Sequence, residues 1–582
     1  MILQTTGGYS RSAFAGELFP LGSWCNDGDQ RPVRTAEDLS AERDVDIKDE
    51  SACFTRILEQ TLYPALNSLH DLSLPQTYWR HTLGTYLRML IPLLVRRNNL
   101  IRRARDLNDC NHFTAVDVAF HEVVPDDRPS MLNIVNTHAW NQVVLAELCE
   151  SLGLTPVQPL APIRLQTPDR SAARKLHPES RPTLKRVIAN FSNAYSRRSK
   201  TLITRSMLPA SVEIGLSLRH NTLPYYWTDD FTFSCDVDID LRKRLSEHVR
   251  STSGLDNAIL NIAVNQVPRI FIEDFARARD LGLQKLPRTP RVVFTSNLHQ
   301  ASDVFLLRLS ESKVNGSKVV IAQHGGVHSL CKDVPGDIQS ERELADRYIT
   351  WGSPTFTSTN TVAGPTLVNI GSHIRSRGAM ASESLLIVAD STYRYPSVPR
   401  GMNGDRFAYA ALLNDLIRQL DPKIIKRIIL RPYRGAEIWD DSITSLLNHD
   451  ARVDVDHKFP PVQDLFDSAR LVVSTALGTT FFQTLHQQVP TAILLDRTMS
   501  AVCNEATYAL AELERGSILF ADPTSLASHL NSVFADINSW WWDSTTQECV
   551  ANFGSALSPS TSAPASFYGS VLRATTVDGG TR

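Results

Sequence analysis

Cysteine is sparse and scattered in this chain. The eight thiols, Cys25, Cys53, Cys110, Cys149, Cys235, Cys331, Cys503 and Cys549, form no CxxC pair. Zinc-ribbon and thioredoxin-like chemistry therefore lack support, and isolated thiols suit a reducing cytoplasm. Net charge is nearly absent: 60 Lys and Arg stand against 62 Asp and Glu, so no global basic field points to nucleic acid. No apolar run is long enough to span a bilayer; the most apolar window, Leu83–Val95, is short and interrupted by Arg88. The opening MILQTTGGYSRS has no charged segment followed by an apolar one, so no signal peptide is expected. These absences point to a cytoplasmic protein, soluble or peripheral at the inner face of the membrane. HExxH and GxSxG patterns are also missing, which argues against zinc-protease and serine-hydrolase chemistry, and no repeat of fixed period is seen.

What is present is a globular composition, 42% apolar and 21% charged over 582 residues, with room for two or three domains. The N-terminal third reads as mainly helical. Ala52–Leu72 has helical spacing, with Pro64 inside it as a candidate kink, and Tyr78–Leu107 has a broad apolar face with a break expected at Pro92. From Arg288 onward, short apolar runs alternate with helical segments. RVVFT (Arg291–Thr295), KVVIAQ (Lys318–Gln323) and RYITW (Arg347–Trp351) are strands of one unit. Leu385–Ala389, Arg427–Arg431, Leu471–Thr475 and Thr491–Leu495 are strands of a second. Such alternation predicts an α/β fold of two Rossmann-like domains facing a cleft, with a helical N-terminal elaboration. The expected domains are 1–352 and 372–556. The Ser/Thr/Gly-rich Gly352–Gly371 is the crossing between them, and the small, polar 557–582 is a tail without structure.

Two strand ends carry candidate chemistry. The run Val319–Ala322 empties into Gln323, His324, Gly325 and Gly326. Glycines there let backbone N–H groups approach a phosphate or sugar, and His324 can serve as general base or phosphate donor. A plain strand-to-loop turn with a surface histidine reads the same residues equally well. The second end is Ser474-Thr475-Ala476-Leu477-Gly478-Thr479-Thr480, where a helix start offers free N–H groups to a diphosphate. It lacks the Walker lysine, and simple capping is the competing reading. Arg431 ends a strand, with Arg434 close behind, and guanidinium suits phosphate or carboxylate. His328 is a weaker candidate. Asp229 and Asp230 read better as a turn, and Asp236-Val237-Asp238 better as a strand edge than as metal ligands. Between Ala161 and Ala210 eleven basic residues meet only two acidic ones, which marks either a solvated face or a patch for anionic headgroups or an anionic acceptor.

In this order the motifs are specific. Thr5-Thr6-Gly7, Leu21-Gly22-Ser23-Trp24-Cys25, Tyr78-Trp79-Arg80 with Leu83-Gly84, and Trp140-Asn141 are followed by Gln323-His324-Gly325-Gly326, Tyr348-Ile349-Thr350-Trp351-Gly352, Gly478-Thr479-Thr480 and Trp541-Trp542 with Phe553. Together they resemble a bacterial family of transferases of surface-polysaccharide gene clusters, relatives of GT-B-like glycosyltransferases. The resemblance implies a donor nucleotide in the C-terminal domain and an acceptor toward the N-terminal one. Two departures stand out: Gln483 where the family tends to carry an acid after the paired threonines, and Val327-His328 where it continues with glycine and an aromatic.

The expected function is transfer of a sugar from a nucleotide-activated donor to a cell-surface glycan or its lipid-linked precursor, with no metal ligands and no resident cofactor. A CMP-linked acidic sugar would suit the arginines. His324 is the expected catalytic residue. Gln323, Gly325, Gly326, Arg431, Ser474, Thr475, Gly478, Thr479, Thr480 and Gln483 are the expected donor and phosphate contacts. The expected partners are donor, acceptor and a peripheral membrane contact, without nucleic acid. The alternatives are a CDP-polyol phosphotransferase and an inactive scaffold of a glycan-assembly complex.

Overall fold

A computed structural model of the chain describes residues 1–26, 35–36, 44–108, 110–166, 183–228, 230–331, 336–353, 358–376, 383–390, 394–395, 406–432, 453–456, 458, 460–475, 477–496 and 502–577. Arg434, Asp229 and Ala476 lie outside the described residues.

Short runs of aliphatic and β-branched residues, bounded by polar turns, build parallel sheets buried on both faces. Three such sheets are present among the described residues, not the two expected. In the first, β1 (Ile2–Gln4), β2 (Leu18–Pro20), β3 (His112–Thr114) and β4 (Thr155–Val157) lie in the order β2-β1-β3-β4. Its strands have three residues each, and strands so short leave little periodic signal among long helices. In the second, β5 (Thr201–Ile203), β6 (Val292–Thr295), β7 (Lys318–Ala322), β8 (Arg347–Trp351) and β9 (Thr361–Gly364) follow chain order, with β7 in the middle. The last strand falls inside the segment expected to be a crossing, so the sheet runs past residue 352. The third holds β10 (Ser384–Val388), β11 (Ile428–Arg431), β12 (Asp454–Val455), β13 (Ala469–Ser474), β14 (Thr491–Leu494) and β15 (Leu519–Phe520). Their order, β12-β11-β10-β13-β14-β15, is the 3-2-1-4-5-6 order of dinucleotide-binding sheets. All the strand pairs of these sheets are parallel. The α/β class with two Rossmann-like units thus holds for the second and third sheets.

The N-terminal helices depart from expectation at the prolines. Asp44–Leu69 continues through Pro64, and Leu83–Asn108 continues through Pro92. The break falls at Thr82 instead, where φ −96° and ψ −81° separate Gln76–His81 from the long helix. Pro92 has no N–H to give the Arg88 carbonyl one turn earlier. Gly336, at the start of the Gly336–Leu344 helix, packs directly onto that carbonyl, with room for no Cβ.

The second and third sheets share one apolar core, in which Val320, Ala322 and Trp351 meet Leu477, Phe481, Phe482 and Phe553. Trp351 and Phe482 stand edge to face, 5.4 Å apart. The tail adds to this core. The segment expected to lack structure forms the Pro564–Val577 helix, which returns to the second sheet and sets Tyr568 5.4 Å from Phe294. Its small polar composition hides an apolar face of Tyr568, Val571 and Leu572, all buried, and Pro564 begins the helix.

In the third unit His529 lies between the rings of Phe520 and Trp540, at 5.0 and 4.6 Å. Burial lowers its pKa from 6.5 to about 4. The unfolded chain therefore takes up this proton before the native one does, and the stability held above pH 6.5 is lost as pH falls toward 4. His529→Phe keeps a ring in the gap and is expected to flatten that loss. The thermal midpoint of wild type should fall more than that of the variant between pH 7 and pH 4.5; equal losses would refute the assignment.

Candidate functional site

The central strand β7 ends in Gln323, and that side chain is committed inward. It is fully buried. Its Nε2 donates to the Gly325 carbonyl and to Ser329 Oγ, both at 2.8 Å. Its Oε1 accepts from the Trp351 N–H at 3.0 Å, and its carbonyl from the Trp351 indole at 2.9 Å. Gln323, expected as a donor contact, therefore ties the loop to β8 and is not presented to the cleft. The polar residue directly after a buried strand serves here to satisfy buried N–H groups.

His324 and His328 follow on this fixed loop, their rings edge to face at 4.6 Å. Both face Glu341, which is 1% exposed: His324 Nδ1 is 3.8 Å from Oε1 and His328 Nδ1 3.9 Å from Oε2. His299 Nε2 lies 3.1 Å from Oε1, Gln300 Nε2 donates to the same oxygen, and the Tyr348 hydroxyl donates to Oε2 at 3.4 Å. Tyr348 also bonds His328 Nδ1 at 2.9 Å. One buried carboxylate thus faces three imidazoles. Glu341 and His299 escaped sequence reasoning. The available signal was a charged residue on the inward stripe of its helix, where Ile338, Glu341 and Leu344 are all buried.

His324, His328 and Glu341 place three ligand atoms within 4.8 Å of one another, and these are residue types that hold zinc. The Glu341 oxygens already accept from Gln300 and Tyr348, which suits a carboxylate that holds imidazoles.

The loop meets the third sheet directly. The Gly326 N–H donates to Thr479 Oγ1 at 3.3 Å, and a Cβ on Gly326 would lie 2.6 Å from Phe482 and 2.8 Å from the Gly478 carbonyl. Farther along, Cys331 bridges to Val502, and the Cys503 N–H donates to the Leu330 carbonyl at 2.8 Å. Gly478 is the N-cap of the Thr479–His486 helix, with no side-chain cap. Gly478, Thr479 and Thr480 are half-exposed, as is Gln483 one turn on. The order of the third sheet reverses between β10 and β13, and ligands of such sheets bind at the carboxyl ends beside that switch point. Asp390, which follows β10, stands there too, its N–H donating to the Tyr409 hydroxyl at 2.7 Å.

The other expected donor contacts lie apart. Ser474 and Thr475 are buried, and Thr475 Oγ1 bonds the Val388 carbonyl at 3.0 Å and the Tyr409 hydroxyl. Arg431 ends β11, with β10 between it and β13, about 10 Å across at the usual strand spacing. It is paired with Asp456 at 2.8 Å.

The first sheet has a switch point of its own, between β1 and β3. There Thr5 and Thr6 join Thr114, Tyr9 and Gln142 in a buried network, with Thr6 Oγ1 donating to Gln142 at 3.0 Å and Tyr9 bonding Thr114 at 2.8 Å. Gly8 turns the loop at φ +84° against the His138 ring, a conformation that suits glycine. Tyr395, after β10, reaches this edge and bonds His138 Nδ1 at 2.7 Å. Beside it Arg97 is 3% exposed, its guanidinium 5.1 Å from the Trp140 ring and 5.8 Å from that of Tyr395. Among the described residues its Nη1 has no hydrogen-bond partner. Burial lowers the Arg97 pKa to about 9.

A family model described as LIC12162 family transferase matches residues 1–559. No curated relative matches the chain. Among solved structures it is similar to MurG of Acinetobacter baumannii, at 11% identity over 64% of this chain and 99% of that one, TM-score 0.32. It is also similar to HepE of Anabaena in complex with UDP and glucose, at 11% identity over 65% and 100%, TM-score 0.37. The wall teichoic acid polymerase TagF is similar at 11% identity over 52% and 85%, TM-score 0.28.

The tight contact at Gly326 generates a test. Gly326→Ala is expected to force the two sheets apart, at a cost of about 1–3 kcal/mol, and to lower the thermal midpoint. In Gly325→Ala the new Cβ meets nothing nearer than His328 at 3.5 Å, so its midpoint should stay near wild type. Equal midpoints for the two variants would contradict the contact.

Proposed function

The chain belongs to the LIC12162 family of transferases, and from that membership we propose that it moves a sugar from a nucleotide-activated donor to a cell-surface glycan or its lipid-linked precursor. One observation carries this reading: the His324 loop lies against a helix start at the switch point of a 3-2-1-4-5-6 sheet. The nucleotide would bind between the ends of β10 and β13. The free N–H groups of the Thr479–His486 helix, with the Thr479 and Thr480 hydroxyls, would receive the phosphate that leaves. His324 would take the proton of the attacking acceptor hydroxyl as the new C–O bond forms and the bond from the anomeric carbon to phosphate breaks. Glu341 would stabilise the resulting imidazolium. On this account no metal takes part, and Gln323, Ser474, Thr475 and Arg431 support the site without touching the donor.

The acceptor would enter at the β1/β3 switch point. A buried guanidinium beside aromatic faces, with no carboxylate partner among the described residues, is costly without an anion, so Arg97 is read as the contact for an acidic or phosphate group of the acceptor.

Titration of the protein with CMP, UDP, GDP and CDP should give tight binding of one nucleotide. His324→Ala should keep that binding and lose about 10²–10⁴-fold in transfer, with Glu341→Gln following in the same direction. Unchanged transfer in His324→Ala would refute the role, and loss of transfer on chelation, restored by Zn²⁺, would make His324, His328 and Glu341 metal ligands. Arg97→Met preserves the bulk of the side chain and should raise the KM for acceptor while leaving that for donor; an unchanged acceptor KM would reduce Arg97 to packing.

A further inference from the structure

The Thr183–Ser196 helix is amphipathic the wrong way round. Surface helices of globular domains turn an apolar stripe inward and a polar face to water. Here the inward side is small and polar. Ala189, Ser192 and Ser196 are buried, and the helix is held to its own domain by hydrogen bonds. Ser192 and Ser196 donate to the carbonyls of Pro224 and Leu223 at 2.5 and 2.6 Å. Asn193 exchanges bonds of 2.9 and 2.7 Å with the backbone of Tyr226. The outward side carries Val187, Ile188, Phe191 and Tyr195, which are 59, 54, 69 and 50% exposed. At spacing i, i+1, i+4 and i+8 they form one stripe. Large apolar side chains scattered singly on a surface need no explanation, but four in one stripe do.

The segment that carries the stripe has charge of one sign. Residues 183–200 hold five basic residues, Lys185, Arg186, Arg197, Arg198 and Lys200, and no acidic one. Arg186, Arg197, Arg198 and Lys200 are exposed. Fourteen residues make about 21 Å of helix, too short to cross a bilayer, and no helix among the described residues is long and apolar enough to do so. An apolar stripe with aromatic residues and a basic border is the arrangement that lies flat in the headgroup region. A protein partner with an apolar groove would match the stripe but not the exposed basic residues of the same segment. Lipid phosphate matches both.

We propose that the Thr183–Ser196 helix seats the protein on an anionic membrane surface, with Val187, Ile188, Phe191 and Tyr195 inserted among the acyl chains and the basic residues at the phosphates. The proposal stands whether or not the transferase reading does.

Flotation of the full-length protein with vesicles tests it. Binding is expected to vesicles of phosphatidylcholine mixed with phosphatidylglycerol and to be much weaker to phosphatidylcholine alone. The Ile188→Ser, Phe191→Ser double variant should lose about tenfold or more in vesicle affinity with an unchanged thermal midpoint, because the replaced side chains face outward. The Arg186→Gln, Arg198→Gln variant should lose binding to the anionic vesicles selectively, and added salt should weaken wild-type binding in the same way. Absence of vesicle binding, or variants that bind as wild type does, would overturn the proposal. So would a dimer in light scattering that the Ile188→Ser, Phe191→Ser variant abolishes while vesicles fail to bind.

Discussion

The architecture depends on one place where backbone meets backbone. Gly326 comes so near the Gly478 carbonyl and Phe482 that no side chain fits between them. The contact joins the carboxyl edge of the second sheet to the first turn of a helix on the third. Two parallel sheets each expose their chemistry at that edge, and only a residue without Cβ lets the edges approach this closely. Around the contact the shared core of Trp351, Phe481, Phe482 and Phe553 supplies the burial that keeps them together. The returning Pro564–Val577 helix packs on the second sheet.

The fixed loop then places its histidines. Gln323 uses its side-chain amide to hold Gly325, Ser329 and Trp351, so the position of His324 follows from β8 as much as from β7. Glu341 arrives from the helix between those strands and gathers His299, His324 and His328 around one carboxylate. A carboxyl group this deeply buried needs hydrogen-bond partners, and Gln300 and Tyr348 supply them. The same physics reads in reverse at the first sheet, where Arg97 is buried between two aromatic rings and no carboxylate among the described residues pairs with it.

Much of this was legible in the sequence. Continuous β-branched runs predicted the strands of the second and third sheets, since strands buried on both faces need no polar alternation. Glycines after a strand predicted the loop at Gly325 and Gly326, and glycine with paired threonines predicted the helix start at Gly478. Less legible were features whose meaning depends on distant partners. Gln323 looked like a ligand contact because a polar side chain after a strand has the same appearance whether it binds substrate or an indole N–H. The tail looked unstructured because its few apolar residues count only once the second sheet lies beneath them. Pro64 and Pro92 looked like breaks, but both helices run through them.

The sequence by itself determined the α/β class, the family and the two strand ends that carry the candidate chemistry. Local composition and periodicity are sufficient for these because short-range sterics and burial decide them. Only the tertiary structure decided that the two ends touch, that Glu341 stands behind the histidines, that Thr475 and Arg431 have partners within the third unit, and that the stripe on the Thr183–Ser196 helix faces outward. Each of these is a relation between residues far apart in the chain, and the packing of sheet edges and helix faces, not local propensity, selects it.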